Sequence, residues 1–272
     1  MRSTIRSRTA HSSIRPESIR KITHSRVWDL CSSVWVIPTR HWHGAARRSL
    51  RLGGLAHLPS LAVGLVNSAR LLSLVGDNAS LEKLANQLYA VSAEQAFPAW
   101  RAQGMIYRGW VKVRNGDVKE GMSLLRSGSA AYSATGAQLW THHYVALLAG
   151  ACEIAGEVQE AVALLDDALR IADRTGERWL EAEAKEHKGR LLLRQGLAEA
   201  AEVLYRIALS FAREQEAKLW ELRAAVSLAR LRGDQGYRTE ARDLLAPVYG
   251  WFTEGFDTPD LKKAKALLDE LA

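Results

Sequence analysis

The sequence predicts an all-α protein, an α-solenoid of about five helix pairs on a 40-residue period, finished by a C-terminal capping helix. Three observations predict it. Gly76, Gly116, Gly156, Gly196 and Gly236 recur 40 residues apart. Glycine at a fixed offset between two apolar-periodic segments marks a helix C-terminus, where the residue after the last turn takes a positive φ that costs glycine nothing. Two further columns share the period: Leu84, Leu124, Leu164, Leu204 and Leu244, and the small residues Ala69, Gly109, Ala149, Gly189 and Ala229. After Gly156, the residues Val158, Ala161, Val162, Leu165, Ala168, Leu169 and Ala172 fall three and four apart. That spacing makes one face of a helix, not an alternating strand. A single helix pair leaves its apolar face wet, and stacking pairs builds a continuous core.

Each unit reads as helix, turn, helix, turn. The second turn falls at Ala96, Gly136, Gly176 and Glu216, and an aromatic opens the next helix: Phe97 and Trp100, Trp140, Trp179, Trp220. The units run roughly 57–96, 97–136, 137–176, 177–216 and 217–256. Pro59 and Ser60 suit the start of the first, since proline fits a first helical turn. The second carries Gly121 and Gly128 inside a helix and is expected to be the loosest of the middle units. In the fourth, Glu181–Lys185 and Glu186–Arg190 stand in favourable i,i+4 order, each worth roughly 0.3–0.5 kcal/mol when exposed. In the fifth, Pro247 is expected to kink or end the second helix. The cap covers 259–271, with Thr258 as N-cap, Pro259 at N1 and Asp260 favouring the helix dipole. Its stripe is Leu261, Ala264, Leu267, Leu268 and Leu271. Nothing comparable precedes the first unit, which points to a longer parent protein. The leucine column is expected to fill the space between pairs, with Leu164 in the core and Arg190 on a wet face.

At this point the chain resembles the tetratricopeptide repeat (TPR) family. The small-residue sets Gly109–Gly121–Gly128, Ala149–Ala161–Ala168, Gly189–Ala201–Ala208 and Ala229–Ala241 fit that family's pattern. The period of 40 departs from the usual ~34, and is similar to the long repeats of signal-transduction ATPases. The closing segment from Trp220 onward resembles the C-terminal region of bacterial adenylate/guanylate cyclase–ATPase–TPR signalling proteins. The resemblance covers roughly residues 55–272. It implies a right-handed solenoid acting as a non-catalytic protein- or peptide-interaction or sensor module, truncated from the catalytic domains. The implied partner is a protein, a peptide or an upstream signalling domain.

Residues 1–52 differ. Residues 1–51 carry ten Arg and one Lys against Glu17 and Asp29, a net charge of +9, so the whole-chain +7 leaves the repeats at −2. Three readings of this basic leader stand. It is a disordered tail or non-native start, since Arg/Ser-rich sequence without period has nothing to bury. It is an Arg- and Ser-rich targeting peptide. Or it is a nucleic-acid arm, in which Trp28, Trp35 and Trp42 stack on bases and arginines neutralise phosphates. That last reading is the alternative function, a transcription-regulator fragment, and nucleic acid is expected only through residues 1–51. No secretory signal is present. The apolar run 52–75 contains His57, Asn67 and Arg70 and should not span a bilayer. A cytoplasmic protein is therefore expected. Cys31 and Cys152 are too few for a disulfide framework, and Cys152 reads as a small buried hydrophobe.

The sequence carries no phosphate loop and no nucleophile motif, so no enzyme activity, cofactor or metal is expected. The adjacent pair His142-His143 points about 100° apart on a helix and does not make a chelate. Asp166-Asp167 lies mid-helix within reach of Arg170 and reads as a solvated face. What remains is a surface. In the resembled repeats the first helix of each pair lines a concave groove. One position beyond the small residue stand Arg70, Trp110, Gly150, Arg190 and Arg230. Six positions before it stand Val63, Gln103, His143, Glu183 and Arg223. The candidate binding residues are thus Arg70, Gln103, Trp110, His143, Glu183, Arg190, Arg223 and Arg230. Arginines at repeat spacing can clamp carboxylates and Trp110 can anchor an apolar side chain.

Overall fold

The computed structural model describes residues 58–272, and the readings of the basic leader lie outside them. Eleven α-helices follow one another among the described residues. They are α1 (Leu58–Val75), α2 (Asn78–Glu94), α3 (Pro98–Arg114), α4 (Val118–Ala134), α5 (Thr141–Ala155), α6 (Val158–Thr175), α7 (Glu181–Arg194), α8 (Ala198–Glu214), α9 (Lys218–Asp234), α10 (Arg238–Gly250) and α11 (Pro259–Glu270). A single 3₁₀ turn, Arg178–Leu180, precedes α7. Each odd helix packs on the next even one, each even helix packs on the odd one that follows, and α11 packs on both α9 and α10. The fold is a TPR-like α-solenoid of five pairs with a terminal cap.

The repeating glycines do what their spacing implies. Gly76, Gly116, Gly156, Gly196 and Gly236 all have φ between 78° and 96°. At each one the next amide turns back to the carbonyl five residues earlier: Asp77 to Leu72, Asp117 to Lys112, Glu157 to Cys152, Leu197 to Leu192 and Tyr237 to Arg232, at 2.8–3.2 Å. This is the Schellman closure of a helix end, made five times. The second turn also needs positive φ, and Ala96 and Glu216 adopt it without glycine, at 53° and 55°.

Packing shifts two expectations. Leu84 is buried, but Leu124, Leu164, Leu204 and Leu244 are only partly so. The fully buried column is one residue on: Ala85, Leu125, Leu165 and Leu245 at 0% exposure and Tyr205 at 1%. One residue is a 100° turn of the helix, and it is this later column that faces the small residues of the partner helix. A Cβ on Gly189 would lie 2.6 Å from the Tyr205 ring, and one on Gly109 would lie 2.7 Å from the Leu125 nitrogen. Of the partly buried leucines, Leu164 and Leu244 pack against the core from the flank.

The second pair is not the loosest. Gly109 and Gly121 face each other across the α3–α4 crossing, where a Cβ on either would come within 2.7 Å of the other's carbonyl oxygen. Other pairs carry alanine in one or both of these places and cannot approach so closely. A Cβ on Gly128 would likewise lie 3.0 Å from the Ile106 backbone nitrogen. These helix-interior glycines exchange intrinsic propensity for backbone contact.

Pro247 lies inside α10, which is the shortest of the even helices at 13 residues. The cap begins as expected at Pro259, but Thr258 does not cap it through its side chain. The Thr258 hydroxyl instead donates to the Gly255 carbonyl at 2.7 Å, stabilising the turn before the helix. The aromatic openers link neighbouring pairs. Trp140 meets Trp179 edge to face at 5.2 Å between centroids. The Trp220 indole donates to the Trp179 carbonyl at 3.2 Å. One described helix, α1, is long and apolar enough to cross a membrane, but 61% of that span is buried within the solenoid.

Candidate functional site: the inner groove

The odd helices turn one face toward the inside of the superhelix and enclose a groove of about 870 Å³. Six of the eight candidate residues line it: Trp110, His143, Glu183, Arg190, Arg223 and Arg230. The other two do not. Arg70 and Gln103 are buried, at 5% and 6% exposure. The Arg70 guanidinium lies 3.6 Å over the Trp140 ring and donates to Asn67 Oδ1 at 2.8 Å. The first pair is covered here by the third, so positions that are open in the later pairs are enclosed in the earlier ones.

His142 and His143 are also interior, at 0% and 1% exposure. Burial, the Arg70 charge and the neighbouring His142 push the His143 imidazole well below its ordinary value, so it stays neutral. His143 Nε2 stands 3.4 Å from Ser73 Oγ, and His142 Nδ1 stands 3.0 Å from Glu177 Oε2. Asp166-Asp167 divides its attachments: Asp167 pairs with Arg170 as expected, while Asp166 takes Lys188 at 2.5 Å.

Along the groove an apolar shelf passes into a charged wall. The shelf is Trp110 with Ala146, Leu147, Gly150 and Ile154 of α5. Gly150 makes room for the indole, since a Cβ there would lie 3.1 Å from the outer ring atoms of Trp110. These are neighbouring members of one sequence column, a large residue beside an absent one.

The charged wall is a network rather than a row of free arginines. Glu153 accepts from Arg194 at 2.8 Å, stands 2.7 Å from His187 Nε2, and has Arg190 at 3.5 Å. Glu186 holds Arg190 at 3.0 Å and accepts from the Ser227 hydroxyl at 2.6 Å. Arg223 donates to Glu183 at 2.6 Å and to Asp260 at 2.8 Å. Arg190 is exposed, as expected of it, but it is engaged with Glu153 and Glu186 rather than free. Arg230 reaches Glu270 at 3.4 Å and stays about half exposed.

Two carboxyls of this wall respond to pH in opposite directions. Burial pushes Glu153 up, but the His187 hydrogen bond and the Arg190 and Arg194 charges outweigh it and hold the group at about 2. A carboxyl held below its unfolded value stabilises the fold above about pH 4.5 and loses that contribution as pH falls toward 2. Glu183 is raised: burial pushes it up, Arg223 pulls it down, and Glu186 and Asp260 push it up again. Its contribution grows as pH falls through the carboxyl range. Glu153→Gln should cost about 3 kcal/mol at neutral pH. The gap to wild type should close between pH 4.5 and 2, the window set by the folded and unfolded values of Glu153. Urea unfolding at several pH values checks this, and a pH-independent gap would assign Glu153 a purely packing role.

Cys152, Glu157 and Glu160 place their ligating atoms within 4.8 Å of one another. Arg126 already occupies both carboxylates, at 3.5 and 2.8 Å. Burial pushes the Cys152 thiol up to about 11, so it is protonated and a poor ligand. The group is an ion-paired face.

Sequence reasoning missed Glu153, Glu186, His187 and Arg194. The signal was available, since Arg194 belongs to the column Arg114, Ile154, Arg194, Asp234 that also lines the groove. No sequence signal marks the Leu74 carbonyl, which accepts from Arg223 at 2.7 Å across the groove.

Comparison with known proteins places the fold. No family model and no curated protein matches the chain. Among solved structures, the chain is similar to nearly identical TPR-like repeats of a Podosopora anserina kinesin light chain, at 23% identity, 71% of this chain, 95% of that one and TM-score 0.51. It is similar to a Rap protein complexed with Competence and Sporulation Factor, at 12% identity, 93% of this chain, 72% of that one and TM-score 0.60. It also matches a STAND protein with a tetratricopeptide repeat sensor from Pyrococcus horikoshii, at 9% identity and TM-score 0.55, over 85% of this chain and 36% of that one. These likenesses establish a TPR-like solenoid.

Proposed function

We propose that the protein is a non-catalytic binding module whose inner groove takes a short peptide. The observation that carries this is the groove itself: one concave face joining an apolar shelf at Trp110 to a wall of paired charges at Glu153, Glu183, Arg190 and Arg223. Its volume of about 870 Å³ falls within the ~300–1,000 Å³ of sites that enclose small ligands. A folded partner would instead need roughly 800 Å² of complementary surface on each side. The likeness to a Rap protein solved in complex with Competence and Sporulation Factor supports the reading of a binding module. The likeness to a STAND protein's repeat sensor supports the narrower idea that the module serves a multidomain signalling ATPase or cyclase. The reading of a DNA-contacting regulator rests on residues 1–51 alone, and no described residue favours it.

A random heptapeptide library displayed on phage and selected against the full chain tests the proposal. Enriched peptides should bind with micromolar or better Kd. Ala146→Trp, which fills the shelf from α5, should weaken binding by at least about tenfold, a loss of about 1.4 kcal/mol. Val203→Glu, on an exposed position of α8 outside the groove, should leave binding unchanged. Selected peptides that bind both variants equally would place the site elsewhere.

A further inference from the structure

The end of the first helix meets the last helices across the groove. Arg223 of α9 donates from Nη1 to Glu183 Oε1 at 2.6 Å and from Nη2 to Asp260 Oδ2 at 2.8 Å and to the Leu74 carbonyl at 2.7 Å. Leu74 and Arg223 are 149 residues apart, about twice the separation of Ser73 and His143, which are 70 apart. Leu74 lies in the final turn of α1. Carbonyls there have no partner within the helix and form the negative end of its dipole. The guanidinium supplies the missing donor.

This bond is unlike the rest of the packing. A solenoid is held by contacts between neighbouring pairs, and small rotations from pair to pair set its curvature. A link from the first pair to the fifth adds nothing to that stacking. It can open while every pair stays stacked, with the small rotations summed over five pairs moving the two ends apart. One side chain thus ties the first pair to the fifth. Leu74, Glu183, Arg223 and Asp260 all line the groove, so a ligand and this link share the same walls.

We propose that Arg223 is a latch, and that the module switches between this compact state and an extended one in which the bond to Leu74 is open. The proposal rests on the groove being the ligand site. A bound peptide offers main-chain carbonyls, the same acceptor chemistry as Leu74. A peptide carbonyl that takes Arg223 Nη2 releases α1 and leaves the Glu183 and Asp260 pairs in place. Binding in the groove is thereby turned into a change in the spacing of the module's two ends.

Double electron–electron resonance tests the latch. Spin labels go on Ala79→Cys and Lys262→Cys of the full chain, both exposed and outside the groove. Cys31→Ser removes the competing thiol, and Cys152 is buried. The wild-type arginine should give one narrow, short distance. Arg223→Ala should give a longer, broader distribution, with the open population raised about tenfold or more, as expected for loss of a charge-assisted hydrogen bond. Arg223→Lys should fall between them, since a point charge cannot hold three acceptors in a planar fork. Circular dichroism establishes that each variant is folded. Asp260→Asn, which weakens the same anchor with a smaller change, gives the second reading, and it too should lengthen the distance. Unchanged distances in folded Arg223→Ala and Asp260→Asn proteins would overturn the latch. A library-selected heptapeptide added to the unsubstituted latch should raise the long-distance population, and no change on binding would overturn the coupling. Opening in Arg223→Ala without any peptide that binds would refute the peptide reading and uphold the latch. Peptide binding with a rigid distance in every variant would do the reverse.

Discussion

Leu165→Ala is expected to lower the free energy of unfolding by about 2–5 kcal/mol, and Leu164→Ala, one residue earlier, by less than about 2 kcal/mol. Both leucines sit in α6 and both look like core from sequence. Leu165 has no exposed surface and lies within the main core cluster, while Leu164 packs from the flank. Truncating the first leaves a cavity that neighbouring helices cannot fill. Truncating the second opens a notch that solvent reaches. Urea denaturation of the two variants checks this, and equal losses would mean that the register of α6 against α5 is wrong.

Gly109→Val should cost about 3 kcal/mol or more, at the upper end for overpacked sites. Its side chain would enter the α3–α4 crossing, where a single Cβ already meets the Gly121 carbonyl oxygen and the Leu125 nitrogen at 2.7 Å. Both neighbours are backbone and cannot rotate away. The helices must separate, which pulls Ile106 and Leu125 out of the contact that buries them completely. Gly150 provides the contrast, since the atoms nearest its absent Cβ belong to the Trp110 ring, a side chain with room to shift. Thermal unfolding of Gly109→Val and Gly150→Ala should therefore show a much larger fall in midpoint for the former. Comparable midpoints would mean that the close crossing is not a source of stability.

These two cases show what was legible in the sequence. The period, the glycine turns and the helix pairs follow from Gly76 through Gly236, because a positive φ at a helix end is a local demand that one residue type meets cheaply. The buried column was missed by one position because leucines occupy both candidate columns in most pairs. Only the facing helix decides which column is covered. Gly121 was read as a weakness because propensity is visible in a sequence and a backbone crossing is not. The groove was legible as a repeating face from Trp110 to Arg230. Gln103 of the second pair shared its columns but is buried, and Arg70 fell outside it because Trp140 of the third pair covers it, a property of the superhelix rather than of the residue. The Arg223–Leu74 bond was invisible for the same reason, and because its acceptor is main chain.

The most direct test of the account follows Trp110 by fluorine magnetic resonance in protein labelled with 5-fluorotryptophan. Its resonance is assigned by Trp110→Phe, and Trp251, exposed and outside the groove, serves as the reference. On titration with a library-selected heptapeptide, the Trp110 resonance should shift in proportion to occupancy while Trp251 stays fixed. A peptide that binds, moves Trp251 and leaves Trp110 unmoved would contradict the claim that the inner groove is the binding surface.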